Sequence, residues 1–281
     1  EDMSLLVNLG GWQTAQIDSV GKVATSDCDG PAGVNNFITG TYGTPYPTEV
    51  LMAQTWNTDL LYDLGLAMGQ EYADVNNYGV YGPAMNTHRS AFAGRNFEYY
   101  SEDGVLAGKL AAAQVNAMAT KGTYNYIKHF ALNDQETNRC AFLLTYSNEQ
   151  AIREIYLKPF ELCIKNFDGT QIAVMSSFNW IGTVPACANE DTLTTILRNE
   201  WGFQGMVITD YDGSYGYMIT DHCVRTGNDL MLGFSSQASN QLTNTESATL
   251  NNALRTSCKN IMYTIANSGY YTNTTDDSGM S

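Results

Sequence analysis

Gly205-Met206-Val207-Ile208-Thr209-Asp210-Tyr211 is the stretch that decides the fold class of this 281-residue chain. Apolar residues suited to a buried strand lead into a carboxylate, and an aromatic ring follows it. In parallel α/β proteins, ligands and chemistry lie at the carboxyl ends of the strands. Asp210 is therefore the first candidate for a catalytic residue. A carboxylate beside a ring also suits sugar chemistry, since sugars have apolar faces and their hydrolysis develops positive charge.

Helical and strand-like segments alternate along the chain, which is typical of a parallel sheet wrapped by helices. The predicted strands are 22–26, 78–85, 124–130, 171–177, 205–209 and 229–232. A closed (β/α)8 barrel of the TIM type needs eight strands. We therefore expect an α/β barrel of this type that is irregular or incomplete. It is expected over residues 1–271, and the Thr/Asn/Asp/Ser-rich segment 272–281 is expected to be a polar linker or disordered tail.

Capping patterns predict where two of the helices start. Ser147 with Gln150 and Thr243 with Glu246 each have the capping-box spacing. Pro159 is expected to kink the first of these helices, because proline lacks the backbone donor that a helix interior needs.

The charge of the chain limits its partners. Its formal charge is −15, from 29 acidic and 14 basic residues. Such a field repels phosphate backbones and anionic membranes, so neither nucleic acid nor a membrane is expected as a partner. No apolar run is long enough to span a bilayer, and residues 1–6 are typical of an amphipathic helix rather than a signal peptide. We expect a soluble protein, and its compartment, a bacterial cytoplasm or the cell exterior, stays open.

The six cysteines lie far apart and form no CxxC pair. Cys163 and Cys258 fall on the apolar stripes of predicted helices, which favours reduced core thiols over a disulfide framework or a zinc site. No metal or other cofactor is predicted.

Polar side chains cluster where the predicted strands end. Buried polar groups without partners are costly, so these side chains are expected to line one cleft. They include Asp27, Asp29, Arg95, Glu98, Lys128, His129, Arg139, Ser176, Ser177 and Asp210.

Several of these residues also have a purely structural interpretation. Lys128 and His129 could form a surface step, although their place at a strand end favours function. Arg95 and Glu98 could be an ion pair that holds a loop, and Asp29 could be a turn former before Gly30-Pro31. Outside the cluster, Asp229 opens a predicted strand and is expected to be structural.

Five motifs, in order, resemble those of glycoside hydrolase family 3. They are Asp29-Gly30-Pro31-Ala32-Gly33-Val34, Gly94-Arg95-Asn96-Phe97-Glu98-Tyr99, Lys128-His129-Phe130, Val174-Met175-Ser176-Ser177-Phe178-Asn179 and Gly202-Phe203-Gln204 through Tyr211. A single motif would be weak, but an ordered set over nearly the whole domain is specific.

The resemblance implies a β-glucosidase-like (β/α) barrel domain in which Asp210 is the nucleophile of a retaining exo-glycosidase. Asp210 would form a covalent glycosyl-enzyme with terminal β-linked glucose or a related sugar, and water would then hydrolyse it. The substrate-binding residues implied are Asp29, Arg95, Lys128, His129, Arg139, Met175 and Tyr211. Nearby positive charges would keep the Asp210 carboxylate ionised.

Three positions depart from the family pattern. Tyr211 stands where members usually have Trp, Phe178 where they have Tyr, and Asn35 where many have Arg. A ring is kept at the first two positions, so these changes are expected to alter specificity or rate rather than abolish function.

The general acid/base is left unassigned. Double displacement needs a second proton-transferring group, which in most two-domain relatives is a Glu of a separate α/β sandwich domain. Single-domain relatives carry a His/Asp pair after the Lys-His-Phe motif, and residues 131–139 do not match it. Glu136 and Asp212 are in range by sequence, but Glu136 is equally placed to orient Lys128 or Arg139. The barrel is therefore expected without its companion sandwich domain, with another domain or chain supplying the acid/base.

Two alternatives come from other functional classes. The chain could be a catalytically silent sugar-binding or scaffold barrel that lacks the proton donor. It could also be a Schiff-base aldolase that uses Lys128, although this would explain neither Asp210 nor the Arg95 loop.

Overall fold

The computed structural model of the chain describes residues 1–212, 215–234, 242 and 246–272, and its centre is a parallel β-sheet. The strands in chain order are β1 (Gln13–Thr14), β2 (Thr25–Asp29), β3 (Asn35–Asn36), β4 (Thr41–Tyr42), β5 (Gly79–Tyr81), β6 (Tyr124–Phe130), β7 (Leu144–Thr145), β8 (Ile172–Ser176), β9 (Trp180–Ile181), β10 (Val184–Pro185) and β11 (Val207–Ile208). The parallel strands lie side by side in the order β2-β5-β6-β8-β11. Leu230 extends this array by a parallel bridge to Ile208.

The N-terminal segment joins the two ends of this parallel array. On one side, the Met231 N–H donates to the Val7 carbonyl and the Gly11 N–H to the Gly233 carbonyl, both at 2.9 Å. On the other side, β1 pairs antiparallel with β2. The sheet therefore closes into a TIM-type (β/α) barrel, and the prediction of an irregular barrel is confirmed. Within the described residues, six parallel segments and this antiparallel N-terminal segment complete the circuit.

Helices surround the sheet. They are α1 (Asp2–Asn8), α2 (Glu49–Ala53), α3 (Thr58–Asp74), α4 (Gly104–Ala119), α5 (Glu149–Ala151), α6 (Lys158–Lys165), α7 (Thr220–Thr226), α8 (Ala248–Ala266) and α9 (Gly269–Thr272), with 3-10 turns at Asp18–Val20, Asn96–Glu98 and Ala186–Ala188 and π-helical segments at Ile152–Tyr156 and Asp191–Glu200. None of the helices in the described part of the chain is long and apolar enough to cross a membrane.

Alternate residues of the central strands face opposite sides, as the pleat requires. Ile127 of β6 and Val174 of β8 pack with Leu110 of α4 and Phe160 of α6. Tyr126, the residue before Ile127, belongs to a second apolar cluster. The parallel strands are thus buried on both faces, which fixes their register and the positions of the residues that follow them.

The first parallel strand differs from its prediction. It runs from Thr25 to Asp29 rather than over 22–26, so Asp27 and Asp29 belong to the strand instead of following it. The fully buried Asp27 carboxylate accepts hydrogen bonds from the hydroxyls of Tyr124 and Tyr126, the latter at 2.8 Å. Because these tyrosines satisfy the carboxylate, a charged residue does not interrupt the strand.

The predicted start of the helix after residue 146 is wrong by one residue. Asn148 rather than Ser147 is the cap, and its Oδ1 accepts the Ala151 N–H at 2.8 Å. The expected disturbance at Pro159 takes the form of a new helix start. The π-helical segment Ile152–Tyr156 ends before it, and Pro159 lies in the first turn of α6, where its missing N–H needs no partner.

The last long helix starts later than predicted. Ser247 caps it by accepting the Leu250 N–H at 3.4 Å, whereas the predicted cap Thr243 lies outside the described residues. Thr272 ends α9, and the remainder of the predicted tail, residues 273–281, also lies outside them. The boundary at residue 271 stays a prediction. All six cysteines are free thiols.

Candidate active site

Asp210 follows β11 at the carboxyl end of the parallel sheet. Its backbone N–H donates to the Ser176 carbonyl at 3.0 Å, which continues the pairing of β11 with β8 by one more bond. The residue is 8% exposed. Its Oδ1 accepts the backbone N–H of Tyr211 at 2.7 Å, whereas its Oδ2 is buried and has no hydrogen-bond partner in the described part of the chain. One carboxylate oxygen is therefore held and the other is free.

His129 is the side chain that faces the free oxygen of Asp210. Its Nε2 lies 3.6 Å from Asp210 Oδ2. The main chain of His129 is fixed by Asn86, which accepts its N–H at 2.7 Å and donates to its carbonyl at 2.9 Å. Burial, together with the positive charges of Arg95 and two other cations, lowers the pKa of His129 well below its usual 6.5. The imidazole is therefore neutral and can offer one N–H at this position.

Three cations lie near Asp210 and oppose the effect of its burial. Burial raises the pKa of Asp210 above its usual 3.8, while the charges of Arg139, Lys128 and Arg95 and the hydrogen bond from Tyr211 oppose the rise. Burial has the larger effect on the pKa, because the free energy lost when the carboxylate leaves water exceeds the attraction of these cations. That these charges keep the Asp210 carboxylate ionised stays a prediction.

The two arginines are held by acidic residues. The Arg95 Nε contacts Glu98, so the ion pair considered from the sequence is present, and its Nη1 lies 4.0 Å from Glu136 Oε2. Glu136 also contacts Arg139, with 3.2 Å between Oε2 and Nε. The Arg139 guanidinium lies over the Phe178 ring at 4.4 Å. Its Nη1 is buried without a hydrogen-bond partner among the residues described, which leaves a donor for a ligand.

The other predicted site residues lie in different surroundings. Lys128 is 5% exposed. Met175 pairs with Ile208 in the sheet and is buried in apolar surroundings, so little of it is open to a ligand. Asp29 and Tyr211 are half-buried, and Trp12 contacts both. The Trp12 indole donates to Asp29 Oδ2 at 3.2 Å, and its ring centroid lies 5.9 Å from that of Tyr211.

Sequence reasoning missed two residues of this region, Trp12 and Glu49. Glu49 is completely buried, and both of its carboxylate oxygens are without a hydrogen-bond partner among the described residues. Burial raises the pKa of Glu49 to about 8; the charge of Glu98 adds to this rise, and those of Lys128 and Arg95 oppose it. Its position at the start of a short helix predicts exposure, so no local signal marks it. No group of three His, Cys, Asp or Glu side chains in the described residues is placed to hold a metal ion.

The fold and the site together define a (β/α) barrel with its reactive groups at the carboxyl ends of the strands. Residues 20–243 match the profile of the glycosyl hydrolase family 3 N terminal domain. The chain therefore belongs to glycosyl hydrolase family 3 and contains the N-terminal domain of that family. The family resemblance drawn from the five motifs is confirmed.

Similar proteins are named β-glucosidases. β-Glucosidase A of Butyrivibrio fibrisolvens is 42% identical over 218 residues, which are 77% of this chain and 26% of that protein. A probable β-glucosidase I of Aspergillus clavatus is 35% identical over 232 residues, 82% of this chain and 27% of that protein. The chain thus spans about a quarter of the length of the curated relatives it matches.

Solved structures agree with the barrel. The structure of β-glucosidase 3B from Thermotoga neapolitana in complex with glucose has a TM-score of 0.81 at 31% identity, covering 95% of this chain and 41% of that one. The GH3 β-glucosidase of Bifidobacterium adolescentis has a TM-score of 0.86 at 28% identity, covering 99% of this chain and 40% of that one.

Proposed function

We propose that this chain is the barrel part of a retaining, exo-acting β-glucosidase-like enzyme in which Asp210 is the nucleophile. The observation that carries the proposal is the buried, unpartnered Oδ2 of Asp210 at the carboxyl end of β11. Its sister oxygen is held by the Tyr211 N–H, so the carboxylate is oriented while the attacking oxygen stays free. A nucleophile needs this combination, because a fixed geometry shortens the approach to the sugar carbon.

The reaction proceeds in two displacements. Asp210 Oδ2 forms a bond to the anomeric carbon as the bond to the aglycone oxygen breaks, and an acid/base donates a proton to that oxygen. Water then attacks the same carbon, gives its proton to the acid/base, and the bond to Asp210 breaks. Both steps invert the configuration, so the sugar is released with its original anomeric form.

The remaining residues of the site would bind the hydroxyls of the sugar. Asp29 accepts hydrogen bonds from hydroxyls, and Arg95 and Lys128 donate charge-assisted ones. The neutral His129 adds a donor beside Asp210. Terminal β-linked glucose is the proposed glycone, since the similar proteins are β-glucosidases.

The acid/base is proposed to come from a companion domain or chain. Glu136 lies between two arginines, 4.0 Å from Arg95 and 3.2 Å from Arg139, so its carboxylate is engaged in orienting their guanidinium groups. Asp212 is 1% exposed, and its carboxylate lies against Gly233. The curated relatives are about four times as long as the matched region, which leaves ample chain for such a domain.

Covalent trapping tests the proposal without needing the acid/base. The chain is incubated with 2,4-dinitrophenyl 2-deoxy-2-fluoro-β-glucoside, whose leaving group departs unprotonated and whose fluorine slows both displacements. Intact mass and peptide mapping should show one adduct, on Asp210. Asp210→Asn should abolish it, and the matched control Asp221→Asn, at an exposed ion pair with Arg225 on α7, should leave it unchanged. An adduct elsewhere, or one that survives in Asp210→Asn, would refute the assignment.

A silent sugar-binding barrel is the second candidate. It is favoured by one observation, namely that Glu98 and Glu136 are engaged with arginines and Asp212 is buried. Glucose binding by calorimetry with no adduct from the fluoroglucoside, in a chain shown to be folded, would support this candidate over the enzyme.

A further inference from the structure

Trp12 has a backbone conformation that is uncommon for a bulky residue. Its φ of 55° lies in the left-handed region, where such side chains are disfavoured. Bonds on both sides hold it there: its N–H donates to the Tyr81 hydroxyl at 3.1 Å, and its carbonyl accepts the Asp27 N–H at 2.9 Å. The neighbouring Gly11 is tied to Gly233 by a 2.9 Å bond. A conformation of this kind persists only where the surroundings impose it, and it concentrates at functional sites.

This conformation directs the indole towards Asp29. The Trp12 Nε1 donates to Asp29 Oδ2 at 3.2 Å. In the part of the chain that the structure describes, it is the single hydrogen bond made to the Asp29 carboxylate. An indole N–H is a donor only, so it leaves the other lone pairs of Asp29 to a ligand. A carboxylate at a strand end would otherwise rotate freely about its χ angles.

The ring of Trp12 also contacts Tyr211, the residue that follows Asp210. The centroids of the two rings are 5.9 Å apart, and their planes meet at an angle of 51°. Phe37 meets its edge at 4.8 Å, and Phe234 stacks on it at 6.0 Å. Phe37 is 52% exposed and Phe234 37%, whereas Trp12 is half-buried between them. These rings restrain the indole plane from the solvent side.

From these contacts we infer that Trp12 is a positioning residue for the sugar site: its indole N–H orients Asp29, and its ring sets the distance between Asp29 and the Tyr211–Asp210 corner. The inference rests on the proposed function, since it assigns to Asp29 the role of holding a hydroxyl of the glycone. Trp12 acts through Asp29 and touches none of the reacting atoms.

A double-mutant cycle on the trapping reaction tests the inference. Trp12→Phe keeps a ring and removes the donor, so we expect kinact/KI for the fluoroglucoside to fall about tenfold, mainly through KI. With Asp29→Ala already present, Trp12→Phe should change it by less than about twofold, because the group it orients is gone. The control Trp56→Phe makes the same substitution at an exposed residue and should stay within about twofold of the parent in both backgrounds. Equal losses with and without Asp29 would show a packing role and overturn the inference.

A second measurement is made on the parent chain, and Trp→Phe variants serve only to assign its resonances. The four tryptophans give four indole N–H resonances in a ¹⁵N–¹H spectrum, and the Trp12 signal is assigned by elimination with Trp56→Phe, Trp180→Phe and Trp201→Phe. Saturating glucose should shift the Trp12 indole resonance as Asp29 accepts a hydroxyl, and an unmoved resonance would overturn the inference. The parent chain separates the two proposals: absence of labelling in it counts against the glycosidase, whereas normal labelling with an unmoved Trp12 signal counts against the positioning role alone.

Discussion

The imidazole Nε2 of His129 lies 3.6 Å from Asp210 Oδ2, although the two residues are 81 positions apart. β6, which contains His129, and β11, which Asp210 follows, are separated in the sheet only by β8. The contact is not an ion pair, because burial and neighbouring cations keep His129 neutral. A neutral donor at this position would stabilise the carboxylate of the proposed nucleophile without adding a second charge beside it.

The pH dependence of trapping should report Asp210 and not His129. In the proposed reaction the ionised carboxylate attacks, and burial raises the pKa of Asp210, so the labelling rate should fall as the pH drops through that raised value. His129 has a lowered pKa and stays neutral across this range. His129→Gln should therefore lower the rate about tenfold or more without moving the acid limb. A limb that disappears in His129→Gln would show that the imidazole is the titrating group.

The charge of Arg139 should set the position of the acid limb. Arg139 is the strongest of the cations that oppose the raised pKa of Asp210. In Arg139→Gln the limb should move to higher pH, because a buried carboxylate that loses a cation holds its proton more tightly. Arg225→Gln, which removes an exposed arginine on α7, should leave the limb in place. A limb unmoved in Arg139→Gln would contradict the charge arrangement.

Glu49 should make the chain less stable as the pH rises. Burial raises the pKa of Glu49 to about 8, above its usual 4.5. The stabilisation from its neutral form is complete below pH 4.5 and is lost as the pH rises towards 8. Glu49→Gln keeps the neutral shape, so between about pH 5 and about pH 7 it should lose about 2 kcal/mol less than the parent in its free energy of unfolding.

Urea denaturation at the two pH values measures this difference. Asp27, whose pKa burial raises to about 6, acts in the same direction but is common to both proteins. The control Glu102→Gln, at an exposed residue before α4, should follow the parent. Identical pH dependence of the parent and Glu49→Gln would mean that Glu49 is ionised in the folded chain.

Much of this fold could be predicted from the sequence because each strand or helix is indicated by residues within its own segment. The bounds of β6 were predicted at Tyr124 and Phe130, where the structure has them, since aromatic and β-branched residues such as its tyrosines, Ile127 and Phe130 favour a strand. The strand that contains Asp27 was misplaced because the Asp27 carboxylate is satisfied by hydrogen bonds from Tyr124 and Tyr126, residues almost a hundred positions away. A single sequence carries no record of that contact.

The same distinction separates the candidate site residues that were recognised from those that were missed. Asp210, Lys128 and His129 each follow or end a strand, and position alone marked them. Trp12 and Glu49 reach the site from a left-handed turn and from the start of a short helix. Both depend on which distant segments pack together, and neither has a spacing that predicts it.

The buried pair Arg198–Asp229 should be essential for the stability of the strand that leads to Asp210. The Arg198 Nη2 lies 2.6 Å from Asp229 Oδ2, and the same oxygen accepts the Val207 N–H of β11 at 2.8 Å. This arrangement confirms the structural role expected for Asp229. Arg198→Met would leave a buried carboxylate without its cation and should lower the free energy of unfolding by about 3 kcal/mol. Urea unfolding measures the loss, with Arg153→Met, at an exposed pair with Glu200, expected to change little. Comparable losses in the two variants would show that the buried Arg198–Asp229 pair contributes no more to stability than the exposed Arg153–Glu200 pair.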